Sequence, residues 1–131
     1  MATIRKEIPI RATPDHVWDV IRDIGAIHTR LAPGYVVDTR LEEGARVVSF
    51  ANGVVARELI VTLDHDSRRL VYAVVGGTAS HHNASFQVFP AERGGTLLVW
   101  VTDMLPDTVA PAFSKMIEGG ASVIKRTLDE A

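Results

Sequence analysis

The most constraining feature of this chain is a long amphipathic helix pattern that follows a run of short alternating segments. The helix is predicted to begin at Pro106-Asp107, where the Asp107 side chain can cap the first turn. Its apolar stripe consists of Val109, Phe113, Met116, Ile117, Val123, Ile124 and Leu128. A helix with one apolar face must bury that face, and here the strands before it supply the surface.

Six segments with strand patterns precede this helix, separated by short turns rich in Gly, Asn, Asp and Pro. Short turns between successive strands predict an antiparallel meander. The strongest single hairpin signal is the turn at Asn52-Gly53. The predicted strands are Tyr35–Leu41, Arg46–Ala51, Val54–Leu63, Leu70–Val75, His81–Phe89 and Thr96–Met104.

The first part of the chain adds one strand and two short helices. The strand is predicted over about Thr3–Arg11, where apolar residues share one parity. Thr13 followed by Pro14 is a helix start, and Gly25 ends that helix. A second short helix is predicted over Ala26–Leu31. The order predicts an α+β fold in which a seven-stranded curved antiparallel sheet wraps the long C-terminal helix over a cavity.

Composition limits the classes of function. The 131 residues are 47% hydrophobic and 23% charged, as in one globular domain spanning 1–131. The formal net charge of −2 argues against a large nucleic-acid interface, and the lack of cysteine excludes disulfides. No apolar run is long enough for a signal peptide or a membrane span. We expect a cytoplasmic protein, monomeric or homodimeric, without a cofactor.

Three stretches carry a family resemblance: ATPDHVWDVIRDI, ARELIVTLDHDSRRLVYAVVGG and VTDMLPDTVAPAFSKMIEGGASVIKRTL. In this order, over essentially the whole chain, they resemble the START-like helix-grip superfamily, also called SRPBCC. The middle stretch is similar to plant abscisic-acid receptors. In this chain, however, a tight turn at residues 50–53 stands in place of the gating loop of those receptors, and Thr78-Ala79-Ser80 stands in place of their latch. The bacterial polyketide cyclase/dehydrase-like branch fits better. The resemblance implies a cavity for a hydrophobic small molecule.

Glu58 is the first candidate for chemistry. Its strand has apolar residues on both parities, so periodicity does not decide which way the side chain points. The resemblance places Glu58 in the cavity, where burial would raise its pKa. There it could act as a general base or anchor a polar group of the ligand. The alternative is a surface glutamate paired with Arg57 or another neighbour.

His82 is the second candidate. It shares parity with Ala84, Phe86 and Val88, which predicts a position on the inner face, at the mouth of the cavity. Imidazole is suited to proton transfer near neutral pH. Because adjacent His81 and His82 point to opposite faces of a strand, we expect no metal site. The alternative is a mouth-lining residue bonded to backbone.

The predicted ligand-binding residues are Tyr72, Phe86, Trp100, Phe113, Met116 and Gly120. Residues such as the aromatic ones and Met116 are more often ordinary core than ligand contacts. Gly119 and Gly120 are more unusual, because each glycine inside a helix costs about 1 kcal/mol relative to alanine. Either the helix approaches the sheet closely there, or the missing side chains leave room for a ligand. A kink is the alternative.

Three functions are compatible with these features. The first, which we favour, is binding of a hydrophobic molecule such as a polyketide, an aromatic compound or a lipid. The second is a polyketide cyclase or dehydratase in which Glu58 or His82 moves a proton. The third is a structural partner that dimerises through an exposed strand edge.

Overall fold

The computed structural model describes residues 2–130 and confirms the predicted α+β helix-grip architecture. All neighbouring strands of the sheet pair antiparallel, in the order β1-β7-β6-β5-β4-β3-β2. The strands are β1 (Ala2–Ile10), β2 (Val36–Glu42), β3 (Ala45–Phe50), β4 (Val55–Asp64), β5 (Arg69–Val75), β6 (His81–Pro90) and β7 (Thr96–Leu105). The helices are α1 (Pro14–Arg22) and α2 (Ala110–Asp129), with a π-helical turn at Ile27–Leu31 and a 3₁₀ turn at Asp107–Val109.

Helix α1 begins as its sequence predicts. The Thr13 hydroxyl accepts a hydrogen bond from the backbone N–H of His16, and Pro14 occupies the first turn. The helix ends at Arg22, before the predicted Gly25, and the second predicted helix is a π-helical turn. Val17 and Ile21 are buried, so α1 closes one end of the core.

Helix α2 begins later than predicted. The 3₁₀ turn comes first, and the residue that precedes the α-helix is Val109, which makes no side-chain cap. Asp107, predicted at the cap position of this helix, lies inside the 3₁₀ turn instead. Among residues 2–130, no helix is both long enough and apolar enough to span a membrane.

The paired glycines of α2 mark its closest approach to aromatic rings. A Cβ on Gly119 would lie 3.1 Å from the ring of Tyr35, and one on Gly120 would lie 3.3 Å from the ring of Trp100. The Tyr35 hydroxyl also donates to the backbone carbonyl of Met116 at 2.6 Å. Of the explanations for the two glycines, close approach is the one the contacts support.

The concave face of the sheet carries a buried ion pair. Arg46 on β3 lies directly opposite Glu58 on β4, and its Nε donates to Glu58 Oε1 at 2.8 Å. The two residues are only 3% and 6% exposed. Burial raises the pKa of Glu58, and the Arg46 charge opposes that rise. The alternative of a surface Glu58 paired with Arg57 is wrong, because Arg57 binds Glu42 instead, at 3.0 Å.

Replacing Gly120 with leucine tests the contact between α2 and the sheet. The side chain would meet the Trp100 ring, so we expect Gly120→Leu to lower the free energy of unfolding by about 1–3 kcal/mol. Ser122→Leu, on the exposed face of the same helix, should change it by less than about 0.5 kcal/mol. Urea unfolding of both variants measures the difference, and equal stabilities would contradict the close contact.

Removing one partner of the ion pair should be far more damaging than removing both. Arg46→Met leaves a buried carboxylate unpaired, at an expected loss of about 3–5 kcal/mol. Because the folded-state pKa of Glu58 is then raised further, this variant should lose stability as the pH rises above the ordinary glutamate range.

The double variant Arg46→Met with Glu58→Leu should unfold within about 1 kcal/mol of the wild type, or be more stable. Urea unfolding of the single and double variants at acidic and at mildly alkaline pH measures both their difference in stability and its dependence on pH. A single variant as stable as the double variant at both pH values would argue against a paired, buried carboxylate.

Candidate functional site

A cavity of about 350 Å³ lies between the concave face of the sheet and the first turns of α2. The turn between β3 and β4 and the loop between β5 and β6 frame its opening, where Val54, Val55 and Val75 are exposed. Most side chains on its walls are apolar. The helix contributes Ala112, Phe113, Met116 and Ile117.

A smaller chamber of about 60 Å³ adjoins this cavity on the side of the core. It is closed at its far end by the π-helical turn and by Ile124 of α2. We call this space the inner chamber and the 350 Å³ space the outer cavity. The residues that line both, and so form the junction, are Tyr35, Phe50, Glu58, Tyr72 and Trp100.

The ion pair lies at this junction. Glu58 lines both spaces, whereas Arg46 lines the inner chamber only. The Arg46 guanidinium lies 5.1 Å from the ring centre of Tyr72, a distance typical of a cation–π contact. The Arg46 charge is thereby held between a carboxylate and an aromatic face.

An aromatic wall supports the junction from the sheet. Phe86 stacks on Trp100 with ring centres 4.7 Å apart, and the Trp100 indole N–H donates to the Tyr72 hydroxyl at 3.2 Å. Burial raises the pKa of Tyr72 strongly, with Glu58 adding to the rise, so the phenol stays protonated at neutral pH. The wall can offer a ligand ring faces and a neutral hydroxyl.

His82 lines the outer cavity from β6. Its ring centre lies 4.7 Å from that of Phe113 on α2. Burial, with a smaller effect of His81, lowers the pKa of His82 below its usual value of 6.5. The imidazole is therefore neutral at pH 7 and could accept a proton from a bound molecule.

His81 points to the opposite side of the strand. Its ring bonds Asn83, which donates to Asp103 at 3.1 Å. Asp103 lies within β7, where it also accepts a hydrogen bond from the Thr3 hydroxyl at 2.7 Å. These side chains tie β1, β6 and β7 together away from the cavity.

The structure divides the sequence-predicted site residues between the two spaces. Phe86 and Gly120 border only the inner chamber. Glu58, Tyr72 and Trp100 stand at the junction. Those bordering only the outer cavity are His82, Phe113 and Met116. Their roles in binding or catalysis stay predictions.

Two residues that line the inner chamber, Arg46 and Tyr35, are not among the site residues predicted from the sequence. A single arginine on a strand of mixed polarity is usually a surface residue, so nothing in its own pattern singles out Arg46. The sequence pattern predicts a strand that starts at Tyr35, but the strand begins one residue later. The long-range contacts of Tyr35 with Met116 and Gly119 place its ring beside α2, and no local pattern predicts them.

Comparison with known proteins identifies the family. The sequence profile of the family described as "Polyketide cyclase / dehydrase and lipid transport" matches residues 1–130. No curated protein sequence matches at a significant level.

Solved structures share the fold over nearly the whole chain. A protein from Thermobifida fusca is 26% identical, with a TM-score of 0.82 and coverage of 99% of this chain and 92% of that one. A START superfamily protein from Mycobacterium smegmatis is 12% identical, with a TM-score of 0.78 and coverage of 98% and 97%. A norcoclaurine synthase mutant from Thalictrum flavum, bound to a transition-state analogue, is 19% identical, with a TM-score of 0.73 and coverage of 98% and 94%. This chain therefore belongs to the polyketide cyclase/dehydrase and lipid-transport family of START-like (SRPBCC) proteins.

Proposed function

We propose that this protein binds a hydrophobic small molecule, such as a polyketide, an aromatic compound or a lipid, in the outer cavity. The observation that carries the proposal is a preformed space of about 350 Å³ with mainly apolar walls between the sheet and α2. This volume falls in the range of small-molecule sites, which typically hold about 300–1,000 Å³. Transfer of an apolar molecule from water into such a space is favourable by about 25 cal/mol per Å² buried.

The rim of the outer cavity supports the same function. Val54 and Val55 precede and begin β4, and Val75 ends β5, so three exposed apolar side chains surround one opening. Gly76 and Gly77 adjoin Val75 and both have positive φ, a backbone form that glycine adopts without strain. A molecule entering between these loops meets mainly apolar side chains on its way to the junction.

The relatives agree with a binding function. The family description includes lipid transport, and the norcoclaurine synthase relative holds a transition-state analogue. A shared fold alone does not transfer a ligand, so the choice among polyketide, aromatic compound and lipid depends on this chain's own residues.

Blocking the mouth tests the proposal. Ala112 is exposed at the rim on the first turn of α2, so Ala112→Trp should fill the opening without disturbing the core. The probe is N-phenylnaphthylamine, a neutral dye whose fluorescence rises in apolar surroundings. We expect the wild type to bind it and Ala112→Trp to weaken binding at least about tenfold, which corresponds to a loss of about 1.4 kcal/mol.

Ser114→Trp is the matched control. Ser114 is also exposed in the first turns of α2 but does not line the cavity, so this variant should bind the dye as the wild type does. Equal dye binding by all three proteins, or none by the wild type, would reject the outer cavity as the binding site.

A second candidate function is proton transfer in a cyclase- or dehydratase-type reaction. The observation that favours it is the neutral His82 imidazole on the wall of the outer cavity, which Glu58 also lines. A cavity that folds a reactive polyketone beside such a base could direct ring closure. Neither residue needs a metal for this chemistry.

His82→Gln separates catalysis from binding. If His82 is a base, the wild type should speed cyclisation of a synthetic linear poly-β-ketone over buffer, and the variant should lose about 10²–10⁴-fold in rate. Since the active form is the neutral imidazole, the rate should fall only when the pH drops below 6.5. Dye affinity should change by less than about threefold, under 1 kcal/mol. A wild type no faster than buffer would reject the enzyme function, and an unchanged rate in the variant would reject His82 as the base.

A further inference from the structure

We propose that the inner chamber and the Arg46–Glu58 pair select a ligand that ends in one neutral hydrogen-bonding group, a hydroxyl or a carbonyl, and that this end points inward. The inference rests on the proposed function, because it assigns an orientation and a chemical class to the molecule in the outer cavity.

The charge balance of the lining excludes an ionic end group. Among the described residues around the two spaces, the side chains of acidic or basic type, histidine apart, are Arg46 and Glu58, and each is the counter-ion of the other in a pair 2.8 Å apart. His82 is neutral at pH 7. A carboxylate or an ammonium group brought to the junction would therefore be a buried charge without a counter-ion, which is strongly unfavourable.

The pair nevertheless keeps hydrogen-bonding capacity for a neutral group. A guanidinium has five N–H groups, and the bonds from Arg46 Nε to Glu58 and from Nη1 to the Ile24 carbonyl use two of them. Among residues 2–130, Arg46 is the only hydrogen-bond donor to the Glu58 carboxylate, and its bond goes to Oε1. The remaining N–H groups of Arg46 are thus available as donors, and the second carboxylate oxygen of Glu58 is available as an acceptor. A hydroxyl could use both kinds of group, and a carbonyl could use the donors.

The size of the inner chamber sets the orientation. A space of about 60 Å³ can hold a few water molecules, each needing roughly 10–15 Å³, but it is too small for a ring system. The apolar body of a ligand must stay in the outer cavity, and only a small end group can pass the rings of Tyr35 and Tyr72. Because buried N–H groups without partners are costly, a polar end that replaces water there is favoured over an apolar end.

A set of naphthalenes with one ring system and different end groups tests this inference. Naphthol, methylnaphthalene, naphthoate and naphthylmethylammonium, substituted at the same position, compete with N-phenylnaphthylamine for the wild-type protein at pH 7. A hydrogen bond to a charged group should make naphthol bind about 10- to 100-fold more tightly than methylnaphthalene. The two charged compounds should bind more weakly than methylnaphthalene.

The double variant Arg46→Met with Glu58→Leu identifies the source of the preference. It replaces both charges with apolar side chains of similar size, so no buried charge is left unpaired. Its preference for naphthol should fall below about threefold, while methylnaphthalene binds at least as well as before. In the matched control, Arg57→Met with Glu42→Leu removes an exposed ion pair between β4 and β2, and the preference should persist.

The outcomes separate this inference from the proposed function. Equal binding of naphthol and methylnaphthalene, tightest binding of a charged compound, or a preference that survives in the Arg46/Glu58 double variant would overturn the inference while leaving the cavity as the binding site. Failure of every naphthalene to displace the dye from a protein that binds it would overturn the inference alone, whereas absence of dye binding by the wild type would overturn both.

Discussion

The contact of α2 with the aromatic rings beside Gly119 and Gly120 is the constraint on which the cavity depends. Beyond these glycines, Ala121, Ile124 and Leu128 bury the helix in the core. Before these glycines in the sequence, Phe113 and Met116 line the outer cavity. The second half of the helix is therefore packed in the core, and the first half forms one wall of the outer cavity. The rings of Tyr35 and Trp100, packed against Gly119 and Gly120, fix the position along α2 at which the cavity-lining half ends and the core-packed half begins. The hydrogen bond from Tyr35 to the Met116 carbonyl stabilises the helix at this position.

The buried ion pair makes the two ends of this mainly apolar pocket chemically different. A pocket with only hydrocarbon walls would hold an apolar molecule in either orientation, since burial of apolar area is not directional. Arg46 and Glu58 place hydrogen-bonding groups at one end, between the core and the outer cavity. Their mutual pairing keeps the site neutral and limits the desolvation penalty that either charge alone would impose. The pocket has mainly apolar walls along its length and an ion pair at its inner end.

The sequence predicted the element order well, because turns and periodicity are local. The strand before the Asn52-Gly53 turn was predicted to end at Ala51, but it ends at Phe50, and the next begins at Val55. A two-residue turn would pair Glu58 with Val47, whereas the longer loop pairs it with Arg46. One residue of register thus decides whether the carboxylate has a counter-ion, and turn composition does not settle a difference that small.

The crystal structure of the naphthol complex tests the central claim most directly. The claim predicts the rings in the outer cavity, against Trp100 and Phe113, and the naphthol oxygen within hydrogen-bonding distance of Arg46 or Glu58. A reversed molecule, with its oxygen at the mouth beside Val55 and its rings toward the ion pair, would contradict the polar selection. Naphthol bound only on the outer surface of the sheet, with the cavity unchanged, would contradict the ligand-binding function itself.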